Sequence, residues 1–173
     1  MDQSDTANPA TSYDLDRFRS AQEKDLATAI AEIKAGHKES HWIWFIFPQL
    51  RGIGHSSMSR YYAIEDLEEA VAYLEDPYLC GNLIAVSQAL LDQEQNDASE
   101  IFGWPDDLKV KSCMTLFEQA AEELSRDAGR PAQAPAHDFG VFRRVLERFY
   151  EGRADTITLE LLEELAEEKR SLA

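Results

Sequence analysis

A run of six large apolar residues constrains the fold of this chain more than any other feature. Residues 42–47 read Trp-Ile-Trp-Phe-Ile-Phe, and Pro48 follows them. Side chains of this kind are rarely left in water together, so the rings must form the centre of a hydrophobic core. The residue types favour a strand, but helical patterns lie on both sides. We therefore expect a short buried helix that Ser40 caps and Pro48 ends.

Capping residues and apolar spacing predict helices along most of the remaining chain. Asp76 followed by Pro77 is typical of a helix start, Asp66 with Glu69 resembles a capping box, and Asp155 is placed to cap the last helix. We therefore predict an all-α fold, a single compact orthogonal helical domain of about seven or eight helices. The expected helices cover approximately residues 14–35, 42–47, 60–64, 66–74, 77–91, 105–124, 138–150 and 155–170.

Length and composition predict one domain. A chain of 173 residues fits a single domain, and its polar first segment, residues 1–12, is expected to be a disordered leader before a domain at 13–173. Residues 126–137 form a Pro-rich loop. This loop is not a domain boundary, because the segment after it is too short to fold alone.

Charge is distributed unevenly. The formal net charge is −16, so general binding to nucleic acid is disfavoured. Between Lys34 and Arg60, however, Lys38 and Arg51 add to the positive charge and Glu39 is the only acid, which leaves a net charge of +3. Such a positive island in an acidic chain indicates a small anionic ligand as partner.

Several other classes of protein are disfavoured. The N-terminus has no apolar core of a signal peptide, and no apolar run approaches the roughly 20 residues that span a membrane, so we expect a cytoplasmic protein without a membrane partner. Cys80 and Cys113 lie in apolar stretches and are expected to be buried thiols. His37 and His41 have i, i+4 spacing without a third ligand, so neither a metal nor another cofactor is expected.

The segment Arg51–Arg60 is the first candidate for a binding site. It contains two glycines, which let backbone N–H groups approach an anion, and three serine hydroxyls. Arg51 and Arg60 could hold phosphate or carboxylate oxygens, with His55 and Ser57 as further ligand-binding residues. The alternative interpretation is a glycine turn followed by a serine helix cap.

The polar ends of the aromatic run are the second candidate. His41 precedes the run and Gln49 follows it, and in a helix His41 would share a face with Trp44. His41 is the candidate catalytic residue, for proton transfer, while Trp42 or Trp44 would stack on a planar ligand and Gln49 would bind it. The alternatives are a structural histidine and tryptophans that belong only to the core.

Ser112 is the third candidate. In a helix that begins near Pro105, it lies with Leu108 and Thr115 opposite the main apolar stripe, so it faces either a cleft or another helix. In the first case Ser112 would bind ligand. In the second, small residues would permit close helix packing.

Three groups of residues together resemble one family. They are Asp14-Leu15, Arg17-Phe18, Ala21-Gln22, Ser40-His41-Trp42 and 44–50; Tyr62-Ala63-Ile64, Ile101-Phe102-Gly103, 106–109, Ser112 and 114–117; and Phe142, Val145-Leu146, Phe149-Tyr150 and Gly152. The family that they resemble is a bacterial and fungal domain of unknown function, numbered 1810 and sometimes labelled calpastatin-like. The resemblance covers about Tyr13–Leu162 and implies a small all-helical fold, but no activity. Calpain-inhibitory segments are disordered until bound, whereas this chain has core-forming helices throughout, so the calpastatin label does not fit.

Two functions from different classes fit these observations. The first is binding of, or action on, a small anionic metabolite that is nucleotide-like or ADP-ribose-like. The second is a protein-interaction or regulatory module without chemistry. The sequence leaves open whether the domain is an enzyme, and it does not determine the oligomeric state.

Overall fold

Helices dominate the part of the chain described by the computed structural model, which comprises residues 13–126 and 137–173. The all-α prediction is confirmed: within these ranges the only β-type pairing is one isolated parallel bridge between Leu50 and Ile64. The expected leader at 1–12 lies outside the described residues, as do residues 127–136 of the Pro-rich loop expected at 126–137. The described residues form nine helices: α1 Asp16–Lys34, α2 Ile43–Ile46, α3 Ser57–Tyr61, α4 Leu67–Glu75, α5 Pro77–Leu91, α6 Ala98–Phe102, α7 Asp106–Arg126, α8 Gly140–Phe149 and α9 Thr156–Leu172.

The aromatic run forms the short buried helix that the sequence predicts, α2. Trp42, Phe45 and Phe47 are almost fully buried, and Trp42 and Phe47 both pack against Phe102 of α6. Ser40 does not cap α2. Instead, the backbone N–H groups of Glu39 and Ser40 and the indole N–H of Trp42 all donate to Oε1 of Glu32 on α1.

Helix α7 lies at the centre of the fold and contacts α2, α4, α6, α8 and α9. Its predicted apolar stripe, including Val110, Met114 and Phe117, is buried. The thiols of Cys80 and Cys113 are also buried, and burial raises the pKa of each of them, that of Cys80 to about 11. Both cysteines are therefore core residues, as the sequence indicates.

Three helices begin at the aspartate caps that the sequence predicts. Asp66, Asp76 and Asp155 each accept a hydrogen bond from a backbone N–H in the first turn of α4, α5 and α9. The first helix, expected from about residue 14, begins at Asp16 instead, with Leu15 in the cap position and no side-chain cap. Two further differences concern short helices. Helix α3 begins three residues before its expected start at residue 60, and α6 lies between the expected helices 77–91 and 105–124, where no helix was predicted.

Candidate functional site

The isolated bridge brings two distant segments into register. The N–H of Arg51 donates to the carbonyl of Ile64, and the N–H of Ile64 donates to the carbonyl of Gln49, both at 2.8 Å. Residues 49–51, which leave α2, therefore run beside residues 63–65, which leave α3. Because Leu50 and Ile64 are buried, they anchor the two segments to the core.

A cavity of about 300 Å³ lies between these segments and the loop that connects them. This volume is at the lower end of the range of small-molecule sites. Four residues that the sequence singles out as ligand-binding line it together, namely Gln49, Arg51, His55 and Arg60. The other lining residues are Leu50, Gly52, Gly54, Ser59 and Ala63.

Two guanidinium groups give the cavity its positive charge. The Nε of Arg51 lies 3.2 Å from Oε1 of Glu65 in an ion pair whose side chains are both 54% exposed. Arg60 is exposed, and no carboxylate of the described residues lies within ion-pair distance of it. The lining itself contains no acidic residue, so an anion that enters meets two arginines and the imidazole of His55.

The glycine–serine loop packs tightly against α3. A Cβ atom at Gly54 would lie 2.5 Å from both Cβ and Oγ of Ser59, closer than any normal contact. Ser56 caps α3, since its Oγ accepts a hydrogen bond from the N–H of Ser59 at 3.1 Å. The glycine turn and the serine cap that the sequence suggests as an alternative are therefore present, and they form one wall of the cavity.

Arg17 and Glu69 hold the segment 61–65 in place. The Arg17 guanidinium donates to the carbonyls of Tyr61 and Ala63, each at 2.9 Å, and pairs with Oε2 of Glu69 at 3.1 Å. The other oxygen of Glu69 accepts from the N–H of Glu65 at 2.7 Å. This scaffold was not predicted from the sequence, because Arg17 and Glu69 are 52 residues apart and leave no local pattern.

The aromatic candidates lie elsewhere. His41 is exposed before α2 and does not line the cavity. Trp42 is 1% exposed and bonded to Glu32, so it has no free face for a planar ligand. Trp44 is half-buried, its indole N–H has no acceptor among the described residues, and the Lys109 ammonium lies 5.5 Å from its ring centroid. The cavity lining does not include Trp44 either.

Two further candidates also lie outside the cavity lining. Ser57 is the exposed first residue of α3. Ser112 is buried, and its Oγ lies 2.9 Å from Oδ2 of Asp155 and 3.1 Å from the carbonyl of Leu108. The alternative interpretation of Ser112, close packing between helices, therefore describes its surroundings, with Asp155 at the start of α9 as its partner.

The positive island of the sequence separates in space. Lys38 is nearly buried, pairs with Asp106 at 3.0 Å and lies 5.1 Å from the ring centroid of Trp42. Lys34 ends α1 and, like Lys38, is absent from the cavity lining. The positive charge at the cavity therefore comes from Arg51 and Arg60 alone.

The described residues contain neither a metal-binding cluster nor a membrane-spanning helix. No group of three or more histidine, cysteine, aspartate or glutamate side chains within residues 13–126 and 137–173 is placed to hold a metal ion. No helix in the same ranges is both long enough and apolar enough to cross a membrane.

Fold and site together define an all-helical protein with a small arginine-lined cavity beside its central aromatic helix. Residues 12–162 match the family described as protein of unknown function (DUF1810), and the chain belongs to this family, as its motifs predict. A similar solved structure is the 1.38 Å crystal structure of the conserved hypothetical protein Rv1873 from Mycobacterium tuberculosis. It is 37% identical, with a TM-score of 0.76, and the match covers 87% of this chain and 97% of that one. No curated protein matches the chain.

Proposed function

We propose that the cavity between residues 49–55 and α3 binds a small anionic metabolite that carries phosphate, of the nucleotide-like or ADP-ribose-like kind. The observation that carries this proposal is Arg60, a guanidinium at a cavity with no carboxylate partner among the described residues. In a chain of net charge −16, an arginine without an acidic partner is available to an external anion. Arg51 and Gln49 supply further donors on the opposite segment.

The size of the cavity sets which part of the ligand it holds. A volume of about 300 Å³ accommodates a phosphate group with its immediate substituents, whereas a complete dinucleotide needs more room. The remainder of a nucleotide-like ligand would extend along the surface.

A reaction at this site would depend on His55. Proton transfer requires a group within hydrogen-bond reach of the ligand, and His55 lines the cavity whereas His41 does not. A His55→Asn variant tests whether a reaction accompanies binding. Loss of turnover without loss of affinity would assign His55 to chemistry.

A thermal-shift screen followed by calorimetric titration tests the binding proposal. Nucleotides, ADP-ribose and sugar phosphates are compared, since a ligand that binds the native state raises the melting temperature. Arg60→Ala is expected to weaken the best ligand roughly tenfold or more, because it removes a charge-assisted hydrogen bond. Arg153→Ala is the matched control, since Arg153 is also exposed and pairs with Glu151 away from the cavity lining.

Two outcomes would contradict the proposal. Absence of stabilisation by every phosphate-bearing ligand at millimolar concentration would reject it. Equal binding by the wild-type protein and by Arg51→Ala and Arg60→Ala variants would show that the ligand binds elsewhere.

The second candidate function, a protein-interaction module, is supported by a different surface. Trp104 is 78% exposed and Leu108 49% exposed, four residues apart at the start of α7. Exposed large apolar residues so close together are typical of protein contacts. A stoichiometric partner that Trp104→Ala abolishes and Arg60→Ala retains would favour this function.

A further inference from the structure

Glu65 is the carboxylate that touches an arginine of the cavity without itself lining it. Its Oε1 lies 3.2 Å from Nε of Arg51, and both side chains are about half exposed. Glu65 follows Ile64 and Arg51 follows Leu50, so the parallel bridge places their side chains next to each other.

The backbone of Glu65 is fixed from two directions. Its N–H donates to Glu69 at 2.7 Å, and the preceding residue, Ile64, exchanges hydrogen bonds with residues 49 and 51. Arg17 holds the carbonyls of Tyr61 and Ala63 in the same segment. The backbone of Glu65 is therefore held beside Arg51, while its side chain stays accessible to solvent.

This charge acts unequally on different ligands. Coulomb repulsion is proportional to the charge of the ligand, so a fixed carboxylate disfavours a doubly charged phosphate monoester twice as strongly as a singly charged phosphate diester. The two arginines attract both kinds of anion. Glu65 cancels half of their formal charge, and thereby reduces the advantage that a doubly charged ligand would otherwise have.

We infer that Glu65 tunes the charge selectivity of the cavity, because it reduces the preference for doubly charged phosphate monoesters over singly charged phosphate groups, as in a diester. This inference rests on the proposed function of the cavity and specifies its ligand class. Arg51 remains able to bind, because its terminal nitrogens donate no hydrogen bond to another of the described residues.

The test compares methyl phosphate with dimethyl phosphate, two probes of similar size. At pH 8 the monoester carries two charges, since its second pKa is about 6, and the diester carries one. Affinities are measured by NMR titration in 0.15 M salt for the wild-type protein, Glu65→Gln and Glu65→Ala. Glu151→Gln is the matched control, because it removes the same charge from another exposed arginine pair.

We expect both Glu65 variants to shift the ratio of the two affinities toward methyl phosphate by about threefold or more. Glu151→Gln should leave the ratio unchanged. A ratio that stays the same in the Glu65 variants, with clear binding of both probes, would overturn the inference and leave the proposed function intact. Failure of both probes to bind the wild-type protein would reject the proposed function, and this inference with it.

Discussion

Two clusters of polar residues, both picked out from the sequence as candidate sites, differ in what satisfies them. Around Asp155, one carboxylate oxygen accepts from the hydroxyls of Ser112 and Thr158 and from the N–H of Thr158. At the cavity, Arg60 forms no ion pair with a carboxylate of the described residues. Arg51 pairs with Glu65, and both of these side chains are about half exposed.

This difference distinguishes a polar cluster that supports the fold from one whose charge is available to a ligand. A buried polar group that already has its partners gains little from a ligand, because each new hydrogen bond would break an existing one. A charged group that faces a cavity without a partner gains from an external anion. We therefore assign Ser112 to the contact between α7 and α9, and we propose Arg60 as a ligand-binding residue.

The largest effect is expected at the satisfied cluster. Asp155→Ala removes the cap of α9 and the carboxylate that accepts a hydrogen bond from the buried Ser112 hydroxyl. The free energy of unfolding should therefore fall by about 3 kcal/mol. Urea denaturation measures it, with Asp155→Asn as a milder control. A loss below about 1 kcal/mol would show that the cluster does not hold α9.

The next effect is expected at the wall of the cavity. Gly54→Ala places a methyl group 2.5 Å from Ser59, so the loop must shift, at a cost of about 2 kcal/mol and with weaker phosphate binding. Gly81→Ala is the control: nothing lies within 4 Å of its added Cβ in α5, so stability should rise by about 0.5–1 kcal/mol. Unchanged ligand affinity in Gly54→Ala would separate the loop from the site.

A third, smaller effect depends on pH. Burial alone would raise the pKa of Glu32, but hydrogen bonds from Ser40, Glu39 and Trp42 outweigh burial and lower the pKa to about 2. A carboxyl whose pKa is depressed on folding stabilises the protein fully above its unfolded pKa of about 4.5, and this contribution is lost as the pH falls toward 2.

Glu32→Gln tests this expectation. The variant should be less stable than the wild-type protein by about 1 kcal/mol at pH 7, and the difference should shrink between pH 4.5 and pH 2. Acid titration of both proteins by circular dichroism measures the difference. A gap that stays constant across this interval would mean that Glu32 titrates normally in the folded protein.

The smallest effect should be that of Arg60→Ala on stability. Since Arg60 is exposed and has no ion pair among the described residues, its loss should change the free energy of unfolding by less than about 0.5 kcal/mol while it weakens phosphate binding. A large loss of stability would show that Arg60 supports the fold, and the comparison between the two clusters would fail.

Local sequence signals predicted most of the helices correctly. Asp76-Pro77 and Asp155 define their helix starts because a cap and its helix are neighbours in the chain. The cap predicted at Ser40 was wrong for the opposite reason. The N–H of Ser40 donates to Glu32 in another helix, and this tertiary contact replaces the expected local cap.

The candidate site was only partly predictable. Gln49, Arg51, His55 and Arg60 lie within twelve residues, so a loop-based interpretation brought them together. Glu65 and Arg17 were missed, because a single bridge and a long-range arginine contact have no periodic pattern. Trp42 resembled a stacking residue since sequence alone does not show which face of a ring is covered.

The bridge between Leu50 and Ile64 has a consequence for amide hydrogen exchange. The N–H groups of Arg51 and Ile64 are protected by the same pair of segments, so neither can open without the other. Their exchange rates should therefore fall and rise together, whatever happens in the surrounding loop. The exchange of these two amides therefore reports whether the two segments that line the cavity are paired or separated.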